Sequence, residues 1–211
     1  MVRVLFVCLV ALFLCACGNK DAEYNKPADY WYESMLSEIR FGNLEGADDK
    51  FASLQSEHIN SPLIKEAMLI LAHAHMRESE YLLAGFYFDE YLKRYGDVSN
   101  FPFVSYLKLQ ANYYAFDKEN INQQLLLDTI RETEDYLRKY PYSPYREAVT
   151  TLLVRMLLSN AALNSEIARI YDMRDADEAA EMYRDRKPYP WIEGIPVQPV
   201  RLPWYRIPFD W

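Results

Sequence analysis

The sequence predicts an all-α fold, a solenoid of stacked helix hairpins followed by an extended tail rich in proline and tryptophan. Three observations point there. The stretch GNLEGADDKFASL places Ala47, Phe51 and Leu54 at the same spacing as Ala84, Phe88 and Tyr91, each 37 residues further on, and Leu44 is matched by Tyr81. Only 6 glycines occur in 211 residues, too few for a turn-rich β protein. A hydrophobic share of 51% with 26% charged residues is enough for a sizeable core in a chain of this length.

An alanine followed one turn later by a phenylalanine puts both on one helix face, where the small residue admits a neighbouring helix and the ring fills the gap beside it. A helix precedes each such segment, so the repeating unit is a helix–turn–helix hairpin. Periods near 34 residues with this alternation mark tetratricopeptide arrays. Such TPR-like α-solenoids hold other polypeptides, which makes the chain a binding module rather than an enzyme.

The organisation reads as residues 1–16 a targeting segment, 17–27 a linker, 28–186 the solenoid and 187–211 the tail. Met1-Val2-Arg3 is a short basic start, and Val4 to Leu14 is unbroken apolar sequence. Helix of that length rises only about 16 Å, roughly half a bilayer, so it suits a signal-peptide core and not a membrane span. Leu14-Cys15-Ala16-Cys17 resembles a bacterial lipobox, whose last cysteine is diacylated and becomes the first residue of the mature chain. A plain signal peptide with an incidental cysteine is the alternative. Cys8 and Cys15 would leave with the leader, so no disulfide is expected; Gly18 after Cys17 resembles an outer-membrane address. The net charge of −8 becomes one unit more negative once Arg3 is removed. That balance argues against nucleic acid and leaves the covalent lipid on Cys17 as the membrane tether, with no other cofactor expected.

In chain order, Pro27 stands at a first helical position and helix follows from Ala28 to Phe41, with Trp31, Met35 and Ile39 on its core face. Gly42-Asn43 ends it, and Leu44 to Glu57 carries the second helix. Pro62 opens a third, and a fourth runs from about Glu80 to Tyr95. A fifth opens at Asn100-Phe101-Pro102 and ends near Phe116; a sixth ends at Lys139. This third hairpin has Thr129 and Thr133 where the others have alanine and phenylalanine. Tyr140 to Tyr145 is a turn set by two prolines. Helix is expected from Tyr145 to Leu163, again from Ser165 to Met173, and again to about Arg186. Lys187 to Trp211 holds 6 of the 11 prolines and 3 of the 4 tryptophans, so it should run extended. It either straps the open end of the solenoid or reaches a partner.

Catalytic chemistry has little support. No G-x-S-x-G, phosphate loop or H-E-x-x-H occurs. His73 and His75 lie about 200° apart around a helix and cannot share a metal, and His58 has no ligand neighbour in sequence. Asp48-Asp49 and the group Asp175, Asp177 and Glu178 read as solvated faces or first-turn dipole partners. A peptide groove is the more specific expectation. Counted from the repeat alanines, Tyr32 corresponds to Leu69, Leu36 to His73, Ile39 to Met76 and Arg40 to Arg77. These first-helix positions line the inner curve of a tetratricopeptide array, giving apolar pockets with two guanidinium groups at the rim. An extended peptide ending in an aromatic residue and a carboxylate would suit it. The alternative is that both arginines pair with nearby glutamates, and that Trp31 is core.

With the lipobox, the hairpins and the Tyr140-Pro141-Tyr142-Ser143-Pro144-Tyr145 turn in hand, the chain resembles the BamD family. These are tetratricopeptide lipoproteins of the machinery that assembles outer-membrane β-barrels. Gly42-Asn43-Leu44 with Ala47 and Phe51, Ala67 to Tyr81, and Glu166 to Ala180 carry the rest of the resemblance, over roughly residues 28–186. Better-known members continue into a fifth helical repeat, where this chain has its proline and tryptophan tail. The resemblance implies a non-catalytic subunit, lipid-anchored in the outer membrane and facing the periplasm. Its partners would be the BamA-like barrel subunit, other assembly lipoproteins and unfolded outer-membrane proteins recognised through a C-terminal β-signal. It also implies that Arg174, at the helix break, contacts the BamA-like partner. The rival reading is another periplasmic scaffold lipoprotein serving cell-envelope maintenance; a lipid-anchored cell-wall enzyme is a third.

Overall fold

A computed structural model describes residues 23–119, 122–186 and 190–192, and every regular element among them is helical. Cys17, the leader and the tail from residue 193 onward lie outside the described residues. The helices are α1 (Ala28–Arg40), α2 (Leu44–Glu57), α3 (Leu63–Arg77), α4 (Tyr81–Tyr95), α5 (Phe101–Glu119), α6 (Gln123–Lys139), α7 (Arg146–Asp172) and α8 (Asp177–Arg184), with a 3-10 turn at Pro190–Ile192. Each packs on the next, and contacts beyond sequence neighbours join α1 to α3 and α5 to α7. That pattern belongs to a solenoid, in which the first helices of successive hairpins lie side by side.

Three of the hairpins share one turn. After α1, Gly42 takes a left-handed φ of 75°, its N–H reaches the Ile39 carbonyl at 3.1 Å, and the Asn43 N–H reaches Glu38 at 3.0 Å. After α3, Ser79 takes φ 64°, and the N–H groups of Ser79 and Glu80 reach Met76 and His75 at 3.3 and 2.9 Å. After α7, Asp175 takes φ 55°, with Asp175 and Ala176 bonded to Asp172 and Tyr171, both at 3.1 Å. All three are Schellman turns, which satisfy the last carbonyls of one helix and aim the chain back along it. Glycine meets this backbone without strain at position 42 only; Ser79 and Asp175 adopt it despite a side chain.

The repeat positions fill the core as their spacing predicts. Ala47, Phe51, Leu54, Ala84, Phe88 and Tyr91 are all buried, together with Trp31, Met35, Leu71 and Val104. Trp31 is core, and its indole N–H donates to Glu57 at 2.8 Å. A second core joins α5, α6 and α7 through Leu109, Leu126, Val149 and Met156. In the third hairpin Thr129 and Thr133 are fully buried, and each hydroxyl donates to the carbonyl one turn back, Leu125 at 2.7 Å and Thr129 at 2.6 Å. Internal bonding satisfies the buried hydroxyls, so the repeat continues without its alanine and phenylalanine.

Three expectations need correction. Pro27 is the residue before α1, not its first helical position. The fifth helix runs to Glu119, one turn past Phe116. The two helices expected on either side of Asn164 are one, α7, of 27 residues. No glycine or proline falls between Arg146 and Asp172, and buried Asn164 is tied across to the Arg186 carbonyl at 3.3 Å, so nothing interrupts the ladder until the turn at 173–176. The start of the tail folds back as well, because Ile192 is buried in the second core.

Candidate functional site

Side-by-side packing of α1 and α3 brings the predicted groove residues onto two adjacent helices. Tyr32 and Leu36 on α1, and Leu69 and Met76 on α3, pack against the first core while remaining partly exposed. Ile39 is buried outright and belongs to the core more than to any surface. His73 is exposed and leans edge-on against the Phe88 ring, with centroids 5.4 Å apart. Partial burial holds the His73 pKa below the usual histidine range. Tyr32 is pushed the other way for a phenol, upward, by burial and by the Glu66 carboxylate.

Arg40 and Arg77 are exposed in the last turns of α1 and α3, where a cation also suits the helix dipole. Arg77 Nε meets Glu78 at 3.0 Å with most of both side chains in solvent. Such a pair contributes little, so it does not commit the guanidinium. For Arg40 the pairing alternative has no ion pair behind it among the described residues. Arg174 is exposed in the turn between α7 and α8, at the position that Phe41 and Glu78 hold in the first two turns. It lies at the far end of the array from α1 and α3, so the two predicted contact regions are separate.

The polar centre of the N-terminal half is one that sequence reasoning did not assemble. His75, on the last turn of α3, is fully buried. Its Nδ1 lies 2.6 Å from Glu80 Oε2, at the entry to α4, and its Nε2 lies 3.1 Å from Asp48 Oδ1 on α2. The Tyr87 hydroxyl of α4 donates to the same Asp48 oxygen at 2.6 Å, and its ring stacks on the imidazole at 5.5 Å. Asp48 is therefore not the solvated-face residue its exposed neighbour Asp49 is. Burial alone would lower the His75 pKa, but the hydrogen bonds and charges of Asp48 and Glu80 outweigh it and hold the imidazolium above the usual histidine range. Burial and Asp48 likewise keep the Tyr87 phenol protonated. The signal available in the sequence was the repeat itself: Glu38 and Asn43, one repeat earlier, bond each other at 2.7 Å in the position of His75 and Glu80.

A cleft of about 320 Å³ opens between α4, α5 and α6. Lys108 crosses it to Asp89 at 2.7 Å and Glu132 at 3.2 Å, while Lys139 stands over the rings of Phe101 and Tyr140. Its charges are already balanced internally. No group of three metal-ligating side chains occurs among the described residues, and no helix among them is long and apolar enough to cross a membrane.

The chain is similar to known proteins over most of its length. The family model YfiO, described as outer membrane lipoprotein, matches residues 24–184. The chain is 44% identical over 198 residues to outer membrane protein assembly factor BamD of Helicobacter pylori (strain ATCC 700392 / 26695), covering 92% of this chain and 90% of that protein. A second similar protein, outer membrane protein assembly factor BamD of Pasteurella multocida (strain Pm70), is 22% identical over 185 residues, 82% of this chain and 71% of that protein.

Proposed function

The chain belongs to the YfiO/BamD family of outer membrane lipoproteins, and from that premise we propose that it is an assembly factor for outer-membrane proteins that acts by binding and not by turnover. In this reading Cys17 carries the acyl anchor and the solenoid faces the periplasm. The inner surface of α1 and α3 receives the C-terminal β-signal of an unfolded barrel protein. The turn bearing Arg174 docks the BamA-like subunit. The observation that carries the reading is the alignment of Tyr32, Leu36, Leu69 and Met76 on two adjacent helices with Arg40 and Arg77 beyond them. An extended peptide could bury its apolar side chains there and meet a guanidinium with its terminal carboxylate.

The test is binding of a labelled peptide ending in an aromatic residue with a free carboxylate. A charge-assisted bond contributes about 1.5–3 kcal/mol, so replacing Arg40 and Arg77 together by alanine should weaken binding by about tenfold or more. Unchanged affinity removes the groove. For the anchor, Cys17→Ser should release the protein from the membrane fraction; continued sedimentation with membranes would require another tether.

A further inference from the structure

Asp48, His75 and Glu80 form a chain of contacts that crosses the boundary between the first two hairpins. Asp48 belongs to the first hairpin, on α2; His75 and Glu80 both belong to the second. The imidazole is fully buried, whereas the Asp48 and Glu80 side chains are 30% and 45% exposed, so protons can reach the cluster from its edges. The groups facing His75 are Asp48 from α2, Glu80 from the α3–α4 turn and Tyr87 from α4; on its own helix, Arg77 is turned to Glu78.

We propose that this chain is a proton-dependent lock on the seating of the first hairpin against the second. An imidazolium donates from both nitrogens and satisfies both carboxylates at once. A neutral imidazole has one N–H and one lone pair, so it can serve only one of them, and the other nitrogen then faces a carboxylate oxygen. The contact to Glu80 is the shorter, 2.6 against 3.1 Å, and lies within one hairpin. Asp48 also retains the Tyr87 hydroxyl as a donor. Deprotonation therefore releases His75 from Asp48, one of the two bonds from Asp48 to the second hairpin, and leaves the Tyr87 bond and the bond to Glu80 in place, so the seating loosens without parting. Because α1 and α3 run side by side across the same boundary, the lock sets the spacing of the proposed peptide groove; this consequence, unlike the lock, rests on the groove reading.

The sign follows from the raised His75 pKa. The stabilisation is fully present below the unfolded histidine value near 6.5 and is lost as pH rises through the folded value. Three measurements on the purified protein test this: the ring nitrogen shifts of His75 by NMR, the melting midpoint against pH, and affinity for the carboxylate-ended peptide against pH. The lock predicts that His75 titrates above the unfolded value near 6.5 and that the wild-type melting midpoint falls by about 2–4 °C relative to His75→Gln as pH rises through that titration. Asp48→Asn, which preserves shape, should lower the pH at which His75 titrates. A His75 that titrates at or below the unfolded value near 6.5, or parallel wild-type and variant pH profiles, overturns the lock. If His75 titrates as described while peptide affinity does not change through that range, the link to the groove is overturned. If the peptide fails to bind at any pH, the groove reading fails and the lock is judged by NMR and melting alone.

Discussion

The seam between hairpins one and two and the seam between hairpins two and three occupy the same positions of the repeat, yet at one pair of equivalent positions they carry opposite chemistry. Asp48 faces His75 at the first; Gly85 and Asn112, each 37 residues on, face one another at the second. At the second seam a Cβ on Gly85 would lie 2.6 Å from Asn112 Oδ1, so the Asn112 side chain fills the space a side chain at 85 would need, and α4 meets α5 more extensively than α2 meets α3. At the first seam a carboxylate and an imidazolium stand between the helices. At these repeat positions one geometry thus yields a neutral, close-packed contact and a charged contact whose strength depends on a proton; the second seam carries its charge elsewhere, in the pair of Lys108 with Asp89. The charged contact of the first seam adjoins the proposed groove.

The largest effect that would sharpen this contrast is Phe88→Ala. Phe88 is fully buried in the second hairpin, and its removal should cost about 3–5 kcal/mol, read as a lower denaturant midpoint at every pH. Gly85→Leu should come next, at about 1–3 kcal/mol from overpacking the second seam, again without pH dependence. A loss that changed with pH would mean the two seams are not chemically distinct. Asp48→Asn should cost about 1–2 kcal/mol below the unfolded histidine value near 6.5 and progressively less as pH rises through the folded value, where the wild type loses the same bond. A constant penalty across that range would make Asp48 an ordinary structural residue. Arg174→Ala should change stability by less than about 0.5 kcal/mol while reducing capture of the BamA-like partner; intact capture would move that contact elsewhere.

The fold was largely legible because its signals are local and periodic. Ala47 with Phe51 and Ala84 with Phe88 announce the repeat through spacing alone, and Gly42 announces its turn. Where the repeat is kept by different chemistry, legibility falls. Thr129 and Thr133 look like polar surface positions until their hydroxyls are seen to bond within the helix. Asn164 looks like a break because a buried asparagine needs a partner, and the partner, the Arg186 carbonyl, is 22 residues away. The groove residues were legible as positions on α1 and α3, though Ile39 proves to be core. The lock was not legible, because Asp48 and His75 are 27 residues apart and only hairpin stacking brings them together. Two acidic residues in a row on a helix normally mean solvent, and nothing local separates Asp48 from Asp49.

The proposed function requires the inner face of α1 and α3 to hold another polypeptide. The most direct measurement is a map of backbone amide shifts as the carboxylate-ended aromatic peptide is added to the isotopically labelled chain. The largest changes are expected around Tyr32, Leu36, Leu69 and Met76, extending to Arg40 and Arg77. Changes centred instead on the cleft of Lys108 and Lys139 between α4, α5 and α6, with α1 and α3 undisturbed, would contradict it.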